Sequence, residues 1–214
     1  MSTRIKPPAR RKVGRPGDNE DVRGAILAAA LRQLEATGRP ERVTVAAIVD
    51  EAGCTPPSLY HYWPTRELLL HEASERGWAQ FRDSQAQAVT DHHDPVERLR
   101  RRGRAYLDFA LAKPALFRVL FLEPPAAGPA QAPAETAQGP AETGKALDDL
   151  VSDVTAAMTS GQLRPTDPLI TALVLWSAMH GVAALWAITP SLPTDLAHTV
   201  GDLAQDAVLT GLAF

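Results

Sequence analysis

The segment from Thr44 to Leu70, TVAAIVDEAGCTPPSLYHYWPTRELLL, constrains the fold of this chain more than any other, because it encodes two short helices around a glycine turn and then a third. Thr44 offers its hydroxyl to the free amides of a helix opening at Val45, and Val45, Ile48, Val49 and Ala52 recur at helical spacing. Gly53 ends that helix, since glycine tolerates the left-handed backbone that lets a chain turn sharply. Thr55 is placed to cap a second helix, roughly Pro56 to Tyr62. Pro56 suits a first helical turn, whereas Pro57 biases its neighbour away from the helical region, so the two prolines pull the start in opposite directions. Leu59 and Trp63 share one side of this helix as packing residues, and Ser58, Tyr60, His61 and Tyr62 crowd the open side with hydroxyl and imidazole groups. The unit is a helix-turn-helix.

Charge distribution bears on what such a unit contacts. The net charge of −3 by itself argues weakly against a nucleic-acid partner. Yet Arg4, Lys6, Arg10, Arg11, Lys12 and Arg15 precede Gly17 with no acidic residue among them, and the acid excess lies downstream of the motif. Residues 1–17 read as a disordered basic arm, a form compatible with laying charge along a phosphate backbone or in a minor groove. Beside that arm, Tyr60, His61 and Tyr62 read as nucleic-acid contacts.

From Val22 through Leu70 the chain resembles the TetR family of bacterial transcriptional regulators. The resemblance rests on IL-x-AAL-x-x-L followed by TG, on TV-x-x-I, on the turn EAGCT, on LYHYW, and on a charged pair before Leu68 and Leu69. Three positions depart from the family pattern: Cys54 stands where an aliphatic residue is usual, Pro57 where a small residue is common, and Trp63 where phenylalanine is usual. Pro57 matters most, because paired prolines remove two amide donors that could meet phosphate. The resemblance implies that Tyr60 and Arg66 contact phosphate and that Thr55, Pro56, Ser58 and His61 face base edges, with Thr44, Pro57 and Tyr62 completing the DNA-binding surface. Apolar touch on thymine methyls fits a proline-bearing helix.

The rest of the chain reads as helix. A first helix, roughly Glu20 to Ala36, places Val22, Ile26, Ala30 and Leu34 on one stripe. Thr65 caps a long fourth helix running towards His92, which links a head of residues 18–66 to a second domain of residues 67–214. Asp94, Pro95 and Glu97 start another helix that ends near Lys113, and a short helix from Pro114 to Leu122 follows. Residues 123–143, rich in Ala, Pro and Gly, read as a flexible loop. Helical patterning resumes from Gly144 to Ser160, in Leu169 to Ile188, and from Asp195 to Leu212. The expected fold is all-α with about nine helices.

Leu169 to Ile188 contains no Asp, Glu, Lys or Arg and is long enough to span a bilayer. Thr171, Ser177, His180 and Gly181 in its body and the absence of a strongly basic flank favour a helix buried on all sides in a helical domain or dimer. Ser177, Gly181 and Leu185 form a face of mostly small residues. With the stripe Leu196, Leu203 and Ala207, that face predicts a four-helix interface between two copies. The W-x-x-x-HG pattern at Trp176, with AYLDFALAKPALFRVLF from Ala105 to Phe121, resembles the regulators' subgroup named for a Trp, His and Gly signature.

Catalytic chemistry finds no pattern. The histidines His61, His71, His92, His93, His180 and His198 are scattered, with no metal-ligand spacing, and there is no phosphate-binding glycine loop or nucleophile elbow. No cofactor or metal is expected. Cys54, the single cysteine, cannot form an internal disulfide and reads as a small apolar filler, with a redox role as the alternative. No basic-then-apolar leader opens the chain, so a cytoplasmic location is expected. His180 reads either as a hydrogen-bonded core residue or as a ligand contact. An effector pocket is expected among Tyr106, Phe109, Phe117, Phe121, Trp176 and His180, suited to a mainly apolar small molecule. The resemblance implies a homodimeric, ligand-responsive repressor on two-fold symmetric double-stranded operator DNA. The rival is a helical small-molecule-binding or protein-interaction module without specific DNA recognition, for which Pro56 and Pro57 are the only internal hint.

Overall fold

The computed structural model describes residues 18–123, 141–189 and 191–213. Among them are nine α-helices and no strand: α1 (Asp18–Thr37), α2 (Val45–Ala52), α3 (Pro56–Tyr62), α4 (Arg66–Val89), α5 (Pro95–Ala112), α6 (Pro114–Phe117), α7 (Ala141–Thr159), α8 (Pro168–Ile188) and α9 (Thr194–Leu212). The basic arm and nearly all of the 123–143 segment lie outside the described residues.

The head forms as its caps direct. Thr44 Oγ1 accepts from the Ala47 amide at 3.2 Å, and Gly53 closes α2 at φ 67°, ψ 32°. The cap expected from Thr55 is not made. Pro56 and Pro57 occupy the first turn of α3 and carry no N–H, and the Thr55 hydroxyl meets the Ser58 hydroxyl at 3.0 Å instead. Thr65 and Asp94 cap α4 and α5 through the amides of Leu68 and Glu97. Ile26, Leu34, Val43, Ile48, Leu59, Leu69 and Leu70 are buried together beneath α2 and α3, so the stripe read on α1 does face the motif.

Two polar clusters lock this head. Glu72 on α4 takes both oxygens to Arg23 Nη2 of α1, at 2.6 and 2.8 Å, and also accepts from the Trp63 indole at 2.7 Å. The Arg23 guanidinium lies 5.0 Å from the centroid of the Trp63 ring. Trp63 thereby fixes the end of α3 against α1 and α4. In the second cluster, Arg66 turns inward: Nε donates to the Val43 carbonyl at 2.7 Å, Nη2 to the Pro40 carbonyl, and Nη1 to Glu67 at 3.0 Å.

The body surrounds α5, which packs against α4, α7, α8 and α9. Close approach of α9 requires glycine at two points. A Cβ on Gly201 would stand 2.2 Å from Leu107 Cδ1, and one on Gly103 would stand 2.4 Å from Gln205 Nε2. Gln205 in turn donates to the Leu99 carbonyl at 2.7 Å. The short helix expected over Pro114 to Leu122 begins as α6 and widens into a π-helical turn, Arg118–Leu122. Lys113, at the junction, reaches Glu35 of α1 at 3.3 Å and Gln80 of α4 at 2.5 Å, tying the head to the body.

Within the single chain α8 is buried over part of its circumference, which leaves the expected burial on all sides to depend on a second copy. Thr171, Ala172, Leu175, Met179, Val182 and Ala183 are buried, whereas Leu169, Ile170, Leu173, Val174, Leu185 and Ile188 are exposed. By length and composition α8 could cross a membrane, but its inner face is packed in the helical body, as in a core helix of a soluble domain.

Arg66→Ala should lower head stability by about 1.5–3 kcal/mol, because two backbone carbonyls lose a charged donor. A denaturant titration reads this directly, and an unchanged midpoint would show the clamp to be idle.

Candidate DNA-binding surface and interior cavity

On the outer side of the head, Thr44, Thr55, Pro56, Pro57, Tyr60 and His61 are exposed, and Ser58 and Tyr62 are half-buried. Tyr60, an aromatic residue, is 48% exposed on a helix whose other large apolar residue, Leu59, is fully buried. His61 stacks edge-on against Tyr62 with ring centroids 5.0 Å apart. Seven of the nine residues read as DNA-binding thus lie on α3 or at its N-cap, and Thr44 caps α2. Arg66 differs in placement: its side chain turns inward, with Nε and Nη2 donating to the Val43 and Pro40 carbonyls and Nη1 to Glu67.

Cys54 lies half-buried at the turn, packed against the head core, and burial pushes its thiol above the ordinary range. A raised pKa leaves little thiolate, so apolar filling describes this residue better than redox chemistry.

In the body, a cavity of about 60 Å³ opens between α4, α5, α7, α8 and α9 and the π-helical turn. A single water needs roughly 10–15 Å³ on the same measure, so the space is that of a few waters or a slender group. Tyr106, Phe121 and Trp176 line it, as the sequence suggests. Phe109, Phe117 and His180 do not, because they lie one layer behind. Phe117 is fully buried and stacks on Phe121 at 4.8 Å, Phe109 meets Phe81 at 5.3 Å, and His180 sits 5.9 Å from both Phe117 and Phe121.

His180 reaches the cavity through Tyr106. Its Nδ1 lies 2.8 Å from the Tyr106 hydroxyl, which also accepts from the Trp176 indole at 3.3 Å. The hydroxyl can donate to Nδ1 of a neutral imidazole, or accept from it in the other tautomer. Desolvation lowers the His180 pKa, and desolvation likewise drives the buried Tyr106 phenol far above its usual range. Both groups are therefore uncharged near neutrality.

The remaining wall went unread in the sequence. Trp78, Phe81 and Gln85 come from α4, Leu99 and Arg102 from α5, Leu147 and Leu150 from α7, Leu175 and Met179 from α8, and Gln205 from α9. Turned to satisfy both amide atoms, Gln85 donates to the Arg102 carbonyl and accepts from the Tyr106 amide, each at 3.0 Å. One sequence signal was available: Arg102 falls on the same stripe as Leu99 and Tyr106, where a charge on an apolar face asks for a reason.

Because the folded-state pKa of His180 lies below its unfolded value, the unfolded chain binds the extra proton first as pH falls. Stability should therefore drop as pH is lowered through about 6.5 towards the folded pKa, and His180→Gln should remove that part of the dependence. Thermal unfolding of both proteins between pH 5 and 8 checks this, with parallel curves as the contrary result.

Comparisons with known proteins agree with this geometry. Residues 26–73 match the description "Bacterial regulatory proteins, tetR family", and residues 99–207 match "Tetracyclin repressor-like, C-terminal domain". Among curated proteins none matches the chain. A solved structure of a protein with unknown function from Rhodococcus sp. RHA1 is 26% identical, with a TM-score of 0.73 over 90% of this chain and 96% of that one. A TetR-family transcriptional regulator from Pectobacterium atrosepticum is 20% identical, with a TM-score of 0.71 over 94% and 98%. The transcriptional regulator FadR from Bacillus subtilis, solved with stearoyl-CoA, is 17% identical, with a TM-score of 0.70 over 88% and 98%. Two matched regions that together span both the head and the body, on an all-α fold shared with these structures, establish that this chain belongs to the TetR family of DNA-binding transcriptional regulators.

Proposed function

We propose that the protein is a homodimeric cytoplasmic repressor, released from a two-fold symmetric operator when a small, mainly apolar effector enters the interior cavity. The observation carrying this reading is the coexistence, in one chain, of an outward-facing recognition helix on a locked head and a largely apolar cavity walled partly by the same helix, α4, that supports the head. The head is taken as residues 18–66 and the body as residues 67–214. The alternative, a binding module without specific DNA recognition, is disfavoured by the exposed polar and aromatic side chains on α3.

The dimer reading draws on the outer face of α8 and α9. Ser177, Gly181, Leu185, Leu196, Leu203 and Ala207 are all exposed in the single chain. They continue a stripe that also includes Ile170, Val174, Ile188 and Val200, an apolar area of the kind that a second copy covers. Two heads so joined would reach successive major grooves. An effector that binds better to a conformation with misplaced heads lowers operator affinity, and operator lowers effector affinity by the same factor. The Trp-His-Gly subgroup likeness at Trp176, His180 and Gly181 fits a body of this design. The basic arm would add salt-sensitive affinity through counterion release.

Gly181 provides a clean test of the dimer, because a Cβ there meets nothing within 4 Å in the chain itself. Gly181→Leu should give a folded monomer in sedimentation and lose tight operator binding together with dimerisation. A monomeric wild type at micromolar concentration would rule this interface out.

For recognition, Tyr60→Phe should weaken binding to all duplexes alike, by about 1 kcal/mol, whereas His61→Ala should change which sequences are preferred. Selection from a randomised duplex library separates the two effects. Unaltered preference in His61→Ala would remove that residue from the base-reading set.

A further inference from the structure

Among the described residues Arg102 is the one charged side chain in the cavity wall, and it is 8% exposed. Its Nε bonds to Asp153 Oδ2 of α7, itself 4% exposed, and among the described residues that is the only hydrogen bond of its guanidinium. The two terminal nitrogens, with their four N–H donors, have no hydrogen-bond partner among the described residues. Arg98 takes the other oxygen of Asp153 at 2.7 Å and spends Nη1 on the Val89 and His92 carbonyls, each at 3.3 Å. Two guanidinium groups against one carboxylate leave the cluster with one positive charge in excess, with Arg102 enclosed and the Arg98 side chain 29% exposed. The remaining polar wall groups cannot relieve it. Gln85 and Gln205 are held on the α5 backbone, and the Tyr106 hydroxyl is held between Trp176 and His180.

A guanidinium nine-tenths buried with unspent donors and a net charge is costly unless an acceptor, best an anion, completes it. We propose that the effector is a small apolar monocarboxylic acid whose carboxylate docks on the terminal nitrogens of Arg102 inside the cavity; the proposal rests on reading the cavity as the effector site. A carboxylate offers two coplanar oxygens to the guanidinium fork, and its single charge balances the excess. A dianionic phosphate would overshoot that balance. The apolar body of the acid lies against Trp78, Phe81, Phe121, Leu175 and Met179, and the modest volume favours a short chain or a flat ring.

The test titrates the full-length protein with three matched pairs: hexanoate and hexanamide, benzoate and benzamide, 1-naphthoate and 1-naphthamide. Tryptophan emission reports cavity occupancy, and release of a library-selected operator reports response. At least one acid should bind about 10–100-fold more tightly than its own amide, and Arg102→Met should bring the acid down to the affinity of the amide. Arg102→Lys, which keeps the cation and a partner for Asp153, should retain part of the preference; if Arg102→Met does not fold, this variant and the wild-type acid-to-amide ratio decide. Equal binding of acids and amides to the wild type overturns the carboxylate assignment and leaves the cavity reading standing. An acid preference that survives Arg102→Met places the anion elsewhere and also overturns the assignment. If none of the six compounds changes tryptophan emission or operator release, the effector-site reading falls with it.

Discussion

Burial of one continuous side of α4 is the interaction on which the other parts of this protein depend. Its 24 residues span roughly 36 Å at the usual helical rise. Leu69, Leu70 and Ala73 at one end close the head core, and Trp78, Phe81 and Gln85 further along wall the cavity. Between them Gly77 lets α6 and the π-helical turn come close, since a Cβ there would stand 3.0 Å from Leu116 and 3.2 Å from Leu120. A packed helix transmits displacement because interiors are dense and little compressible. The same rod carries Glu72, which accepts from the Trp63 indole at the end of α3.

Polar groups in the body are spent mostly on holding α5 in place. Gln85 and Gln205 bond to its backbone, Asp153 receives both Arg98 and Arg102, and Arg104 pairs with Asp202 of α9 at 2.8 Å. Exposed pairs such as Arg104 with Asp202 contribute little, on the order of 0–1 kcal/mol. The buried cluster is different in kind, because removing either partner would strand a charge. Of its members Arg102 lines the cavity, so the electrostatics that organise α5 also bear on what the cavity can receive.

The head was legible in the sequence because its signals are local: capping hydroxyls at Thr44 and Thr65, a left-handed glycine at Gly53, and an apolar period that one helix turn suffices to display. Local reading erred where a side chain had two possible partners. Thr55 looked like a cap until the prolines after it left few amides to cap, and nothing near Arg66 in the sequence announced that the fold would bring the Pro40 and Val43 carbonyls within its reach. The aromatic stock of the cavity was also legible, but not its layering. Phe109 and His180 share helices with wall residues and differ from them by rotation about the helix axis, and Phe117 precedes the turn that carries the wall residue Phe121.

The sequence by itself determined the helices, their order and the outward chemistry of α3, since these follow from spacing and capping within a few residues of each position. The tertiary structure alone decided which side of each body helix meets the cavity, that Glu72 ties Trp63 to Arg23, and that the terminal nitrogens of Arg102 find no partner among the described residues. Those facts depend on pairs as far apart as Arg102 and Asp153, on α5 and α7, or Leu99 and Gln205, on α5 and α9. A one-dimensional pattern carries periodicity but not the rotation and depth at which two helices pack, and burial, charge balance and hydrogen-bond satisfaction are set by that packing.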